Sequence, residues 1–129
     1  DRNPLALAEN RPIRVAAVSG AAMLMRAADF AALGGFDERY FFHADDLDIC
    51  RRAREAGGAV IFQPGARVMH VGASSGASSL FVARHKAGGL VRYFWKFARD
   101  PGAKAATILA APFIYALLLL GGLARTIRP

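Results

Sequence analysis

The hydrophobic and polar positions divide the chain into a mixed first part and an apolar last part. Residues 15–25 are largely apolar with small side chains, which predicts a buried strand, and residues 59–63 and 67–71 predict two shorter strands. Residues 27–33 and 46–56 predict helices, because each run stops at a Gly-Gly pair. Strands and helices in this order predict an α/β fold over residues 1–80.

Near the end of the chain, 20 residues between Lys104 and Arg125 carry no charge. At about 1.5 Å per residue they would form about 30 Å of helix, which matches the hydrocarbon core of a bilayer. Residues 105–124 are therefore predicted to form a transmembrane helix. A re-entrant or interfacial helix is one alternative, because alanine is only weakly hydrophobic. A buried helix of a soluble core is another.

The segment before this span, residues 81–104, mixes basic and aromatic side chains. Its bases are Arg84, Lys86, Arg92, Lys96, Arg99 and Lys104, and its aromatic cluster is Tyr93, Phe94, Trp95 and Phe97. Such a segment beside an apolar span predicts a juxtamembrane helix at the level of the lipid headgroups, with the preceding residues on the cytoplasmic side. A basic helix packed on its own domain is the alternative. A nucleic-acid surface is disfavoured by the apolar span.

Composition and charge sharpen this division. Residues 1–55 carry 8 basic and 9 acidic side chains, whereas residues 56–129 carry 9 basic side chains and one acidic. A hydrophobic content of 54% excludes a disordered charged tail, and a single cysteine excludes an internal disulfide and a cysteine-based zinc site. The length of 129 residues and the initial Asp1 indicate a piece of a longer chain.

The candidate chemistry lies in the first part. Asp45, Asp46 and Asp48 crowd the start of a predicted helix, where one carboxylate is enough for a cap and the others suit acid–base chemistry. His70 closes a predicted strand and is either structural or a ligand. Gly20 interrupts the predicted strand 15–25, which often marks the close approach of a ligand or another backbone.

Four runs of residues, taken together, resemble the C-terminal half of a family-two glycosyltransferase domain of the bacterial rhamnosyltransferase-like kind. They are VSGAAMLMR, ALGGFDERYF, DDLDICRRAREAG and ARVMHVGASS, in that order over about residues 13–80. The combination of GGFDE, an acidic pair and DxCRR is the part of this resemblance that is specific for the family. The resemblance implies a partial GT-A nucleotide-sugar-binding fold, followed here by C-terminal helices.

The same resemblance implies an inverting sugar transfer in cell-surface polysaccharide synthesis. Asp46 matches the catalytic base, and Asp45 stands where the family usually has Glu. A divalent cation, Mg or Mn, would assist the leaving diphosphate, and His70 matches a metal-ligating position. The remaining matched positions imply substrate binding: Gly20, Asp45, Arg51 and Arg52. For the two arginines, holding the acidic residues and holding the diphosphate are both open.

The implied partners are a nucleotide-sugar donor, a glycan or lipid-linked acceptor, and the cytoplasmic face of the bacterial inner membrane, without nucleic acid. The family's first half, with its Asp-x-Asp metal motif, has no counterpart here, so we expect it upstream of Asp1 and expect this piece alone to be inactive with an open sheet edge. Two other hypotheses remain open. One is a non-catalytic membrane-anchoring or interaction module, and the other is a metal-dependent hydrolase that uses the aspartates and His70.

Overall fold

The computed structural model of the protein describes residues 11–71 and 76–127. Within these ranges there are four helices and one two-stranded sheet. In chain order they are β1 (Ile13–Arg14), α1 (Ala27–Ala32), α2 (Asp45–Glu55), β2 (Ile61–Phe62), α3 (Ser79–Phe97) and α4 (Pro101–Ile127). The described residues form two compact units, the first from 11–37 and 46–71 and the second from 38–45 and 76–127.

The sheet of the first unit is smaller than predicted. β1 and β2 pair antiparallel, with Ile13 opposite Phe62, and the Val15 amide donates to the Val60 carbonyl at 3.0 Å. The strand predicted at 59–63 is therefore partly confirmed. The strands predicted at 15–25 and 67–71 are wrong for the described chain, because a strand needs a neighbour to pair its backbone groups and the described residues offer none there.

Both helices predicted in the first unit are confirmed within one residue at each end. α1 starts after Arg26, whose guanidinium donates to the Asp29 carboxylate at 2.7 and 2.9 Å. This carboxylate raises the pKa of Arg26 above its ordinary value. α1 ends at Gly34 and Gly35, which have left-handed φ angles of 77° and 70°, and α2 ends before Gly57 at 85°. Glycine adopts this conformation without a steric penalty.

The core of the first unit forms around one side of α2. Ile49 is fully buried, and Cys50 is a small core residue that is nearly fully buried, with its thiol 3.9 Å from the Val18 carbonyl oxygen. Beside Ile49 lies an apolar pocket of about 280 Å³. Its lining residues are Met23, Met25, Ala27, Phe30, Phe36 and Ile49.

The second unit contains the α3–α4 hairpin, and here the single helix predicted over 81–104 is wrong. The chain leaves the helical conformation at Ala98 and enters α4 at Pro101. Asp100 accepts the Ala103 amide at 2.8 Å and so caps α4, where Pro101 fits because the first helical turn needs no amide donor. Ser78 caps α3 by accepting the Phe81 amide. The small, polar residues 72–79 before α3 also predict a loop, part of which lies outside the described residues.

Small residues bring α3 and α4 close together. Ala83 and Ala87 are buried on α3. A Cβ atom added at Gly122 of α4 would lie 2.9 Å from the Ala83 Cβ and 3.0 Å from the Ser79 carbonyl oxygen. Any larger residue at position 122 would therefore force the helices apart, since interiors leave no room for extra atoms.

α3 also packs against the segment of residues 38–45. Gly89 lies so close to this segment that a Cβ atom there would be 2.7 Å from the His43 carbonyl oxygen. Tyr40 is buried beneath two bases of α3, with Arg92 at 5.5 Å and Lys96 at 5.8 Å from the ring centroid. Cations at this distance from an aromatic face are attracted to it.

α4 bears out the prediction of one long apolar C-terminal helix. The most apolar 18-residue window within Pro101–Arg125 has a mean hydropathy of 2.1, and 11% of that window is buried. Pro112 lies inside this helix. By length and composition α4 is able to cross a membrane.

Candidate active site

The carboxylate of Asp46 is held by two backbone amides in the first turn of α2. Its Oδ2 accepts the Gly20 amide at 3.0 Å, and its Oδ1 accepts the Leu47 amide at 2.8 Å. The Gly20 contact joins positions 26 residues apart. Both oxygens keep lone pairs for a further partner, because a carboxylate offers about four acceptor sites. The side chain is partly exposed, so a hydroxyl group is able to reach it.

Gly20 therefore sits where another group approaches the backbone closely, as its place in the sequence predicts. The approaching group is a side chain. A Cβ atom at Gly20 would lie 3.4 Å from the Asp46 Cβ and 3.8 Å from Oδ2. The role that the structure gives Gly20 is to orient Asp46, and its predicted contact with substrate stays a prediction.

Asp48 has a different role from Asp46. Its side chain is fully buried and accepts the Arg52 Nε at 2.7 Å. The other guanidinium nitrogens of Arg52 donate to the carbonyl oxygens of Leu33 and Gly35 at the end of α1. Arg52 thus joins α2 to the Gly34-Gly35 turn and satisfies a buried charge, which matches the first of the two roles left open for it. Its binding of substrate stays a prediction.

The neighbouring acidic and basic positions differ in their surroundings. Asp45 is the first residue of α2 and is partly exposed. Arg51 pairs with Glu55 at 3.1 Å, one turn further along the same helix, with both side chains partly exposed. The predicted substrate contacts of Asp45 and Arg51 remain predictions.

Sequence reasoning missed the turn that leads into α2. His43 and Ala44 both have left-handed φ angles, 67° and 69°, although neither is glycine. This conformation is costly for residues with a Cβ atom and concentrates at functional sites. Histidine is among the residue types enriched at such angles, whereas alanine is not. The buried Asp48–Arg52 pair was detectable in principle, because residues four apart face each other on a helix.

His70 lies on an exposed, irregular part of the chain. Among residues 11–71 and 76–127, no three His, Cys, Asp or Glu side chains are close enough together to hold a metal ion. The structure does not bring His70 together with Asp46 in such a group. His70 as a metal ligand therefore stays a prediction.

Comparison with known families assigns this region. The family described as "Glycosyltransferase like family 2" matches residues 4–88, which include Gly20, the whole of α2 and His70. The chain belongs to the family 2 glycosyltransferases. No solved structure matches it significantly, so the GT-A fold is not established by comparison with solved structures.

Curated relatives of this glycosyltransferase chain are rhamnosyltransferases. It is 39% identical over 72 residues to the N-acetylglucosaminyl-diphospho-decaprenol L-rhamnosyltransferase of Mycobacterium tuberculosis, covering 54% of this chain and 24% of that protein. It is 36% identical over 52 residues to the rhamnosyltransferase WbbL of Escherichia coli K12, covering 40% of this chain and 20% of that protein. The chain thus spans about a quarter or less of these relatives.

Proposed function

We propose that this chain is part of an enzyme that transfers a sugar, with inversion, from a nucleotide-sugar donor to a hydroxyl group of a lipid-linked glycan acceptor in polysaccharide synthesis. The observation that carries the proposal is the Asp46 carboxylate, fixed by the Gly20 and Leu47 amides at 3.0 and 2.8 Å inside the family-matched region. The rhamnosyltransferase relatives support a deoxyhexose donor. The relative named for a decaprenol-linked substrate supports a lipid-diphosphate acceptor.

In the proposed reaction Asp46 is the general base. The acceptor oxygen attacks the anomeric carbon while its proton passes to a carboxylate oxygen of Asp46. The bond from the anomeric carbon to the donor's diphosphate breaks, and the nucleoside diphosphate departs with the electron pair from the opposite face. A base fixed by two amides is already oriented, which lowers the entropy cost of reaching the transition state.

A divalent cation belongs to the proposal only as a group that would stabilise charge on the leaving diphosphate. The described residues do not form a donor set for it, since His70 lies in no group of three candidate ligands among them. No step is assigned to the metal. The proposed reaction depends on the Asp46 carboxylate and not on His70.

The proposed location is the cytoplasmic face of the bacterial inner membrane. Its support is the apolar helix α4 and the six bases of residues 81–104 that precede its span. A lipid-linked acceptor would be reached there. A non-catalytic anchoring module is the competing function, supported by the same helix.

The decisive variant is Asp46→Asn in the full-length protein. Asparagine keeps the size of the side chain and its ability to cap a helix, but it is not a base. We expect turnover to fall by about 10²- to 10⁴-fold, the usual contribution of a general base, with unchanged binding to membranes. The assay measures transfer from a nucleotide-activated L-rhamnose to an N-acetylglucosaminyl-diphospho-polyprenol.

Asp29→Asn is the matched control, because it removes a carboxylate of the same unit that pairs with Arg26 on the surface. It should leave turnover within about twofold, since exposed ion pairs contribute little. Unchanged turnover in Asp46→Asn would contradict the base assignment, whereas the absence of turnover in the parent protein would favour the anchoring module.

A further inference from the structure

The exposed face of α4 is strongly apolar. Four large side chains on it, Leu109, Phe113, Leu117 and Leu120, are 71%, 75%, 73% and 65% exposed. Their spacing of four, four and three residues places them in one stripe. The buried and partly buried residues of α4 are a mixture of small and large ones: Ala103, Thr107, Ala111, Ile114, Tyr115, Leu118, Leu119 and Gly122.

α4 is therefore apolar on both sides, whereas a surface helix of a water-soluble protein has a polar outer face. An apolar outer face and a close helix contact through a small residue, as at Gly122, are both features of helices packed in lipid. A continuous exposed stripe of four large apolar side chains also needs a covering partner. An apolar phase is therefore the environment that α4 fits.

α3, however, accompanies α4 along its uncharged span. Lys104 lies over the Trp95 ring at 5.3 Å at one end. A Cβ atom at Gly88 would lie 3.1 Å from the Tyr115 hydroxyl in the middle, and Gly122 contacts Ala83 at the other end. The two helices thus run side by side over most of the length that would cross a bilayer.

The bases of α3 are spread over this shared length: Arg84, Lys86, Arg92 and Lys96. Arg84 and Lys86 are exposed. If α4 spanned the bilayer with α3 still packed against it, these bases would lie at the depth of the hydrocarbon core. Charged side chains there are costly unless they face a partner or water. A spanning α4 and an intact hairpin are therefore incompatible.

We infer that the α3–α4 hairpin docks as one body on an anionic phospholipid bilayer. α4 lies parallel to the surface, with the stripe of Leu109, Phe113, Leu117 and Leu120 in the acyl boundary, and does not span. Charge complementarity selects the partner, because residues 76–127 carry seven bases and one acid. The half-exposed Phe94 and Trp95 near the helix junction suit the headgroup level. The inference rests on the membrane location in the proposed function, and it is independent of Asp46 as a base.

Accessibility of the two ends of α4 tests the orientation. Ala105→Cys and Leu123→Cys place thiols at exposed positions near opposite ends of the span, in full-length protein in which other reactive cysteines are replaced. The protein is added to sealed vesicles of phosphatidylglycerol and phosphatidylcholine and treated with a membrane-impermeant maleimide. We expect both thiols to be labelled from outside. The inference would be overturned if only one thiol were labelled in sealed vesicles and the other were labelled only after detergent had opened them.

Vesicle flotation tests the face and the lipid. Leu109→Ser with Leu117→Ser should weaken binding by about tenfold or more for each leucine lost from the acyl boundary. Leu24→Ser is the control, because it removes a leucine that is 99% exposed in the first unit, and it should change nothing. Binding should also fall at least tenfold on vesicles without phosphatidylglycerol. The inference would be overturned if the Leu109/Leu117 variant and Leu24→Ser lost vesicle binding equally, or if the parent protein did not float with vesicles. It would also be overturned if size analysis showed that the stripe joins two copies of the chain.

Failure of this inference is distinguishable from failure of the glycosyltransferase proposal. Vesicle binding and labelling need no substrate, and Asp46→Asn should behave as the parent protein in both. Conversely, transfer to a detergent-solubilised acceptor by the Leu109/Leu117 variant should persist even when its vesicle binding is lost.

Discussion

The two units differ in the polarity of the side chains that they bury and expose. In the first unit the fully buried side chains include the carboxylate of Asp48. In the second unit four large apolar side chains of α4 lie outside: Leu109, Phe113, Leu117 and Leu120. Hydrophobic character alone would predict the reverse in both places.

The difference shows that burial follows the available partners. Asp48 tolerates burial because Arg52 neutralises it and donates its remaining hydrogens to two carbonyl groups. A buried charge without such partners would be costly. The exposed stripe of α4 is tolerated only next to an apolar partner, which we place in the bilayer. In each unit the groups around a side chain, and not its polarity alone, determine whether it is buried.

The largest predicted effect comes from removing the Arg52 side chain, which pairs with the buried Asp48 carboxylate. Arg52→Ala removes the ion pair of the fully buried Asp48 carboxylate, which should cost about 3–5 kcal/mol of stability. Thermal or denaturant unfolding of the full-length protein measures it. Such a loss is large against the total stability of an ordinary domain.

Arg51→Ala is the control for this prediction. Arg51 is adjacent on the same helix and also pairs with an acid four residues later, but its partner Glu55 is 40% exposed. Its loss should cost less than about 1 kcal/mol. Similar losses for the two arginines would contradict the claim that burial sets the importance of the pair.

A smaller effect distinguishes two adjacent glycines of α4. Gly121→Ala meets nothing within 4 Å and should stabilise the helix by about 1 kcal/mol. Gly122→Ala places its Cβ 2.9 Å from the Ala83 Cβ, and the overpacking should cost about 1–3 kcal/mol. Thermal unfolding should therefore move in opposite directions. If both variants behave alike, α3 does not pack against α4 in the protein.

The sequence predicted the elements whose signals are local. α1, α2 and the apolar helix were predictable because Gly-Gly stops and a long uncharged run need no knowledge of the remaining fold. The break at Ala98–Asp100 was missed because charge and aromatic content continue through it, although Asp100-Pro101 carries a capping signal. The strands at 15–25 and 67–71 failed because strand pairing depends on distant residues.

The candidate site was predictable in part for the same reason. The motif around Asp46 identified the family, and the family match includes it. The hydrogen bond from Gly20 to Asp46 spans 26 residues and could be guessed only as a close approach. The left-handed turn at His43–Ala44 was missed, and its contact with Gly89 joins positions far apart in the sequence.

The smallest predicted effect concerns Gly20→Ala. The added Cβ would lie 3.4 Å from the Asp46 Cβ, an ordinary contact, and the amide that holds Asp46 is retained. Stability should change by less than about 0.5 kcal/mol, and turnover should fall less than in Asp46→Asn. Steady-state kinetics beside an unfolding curve measures both. If turnover falls as far as in Asp46→Asn while stability is unchanged, substrate must use the space beside Gly20, because the carboxylate would still be held in place. Gly20 would then have the substrate contact that its family position implies, in addition to orienting the base.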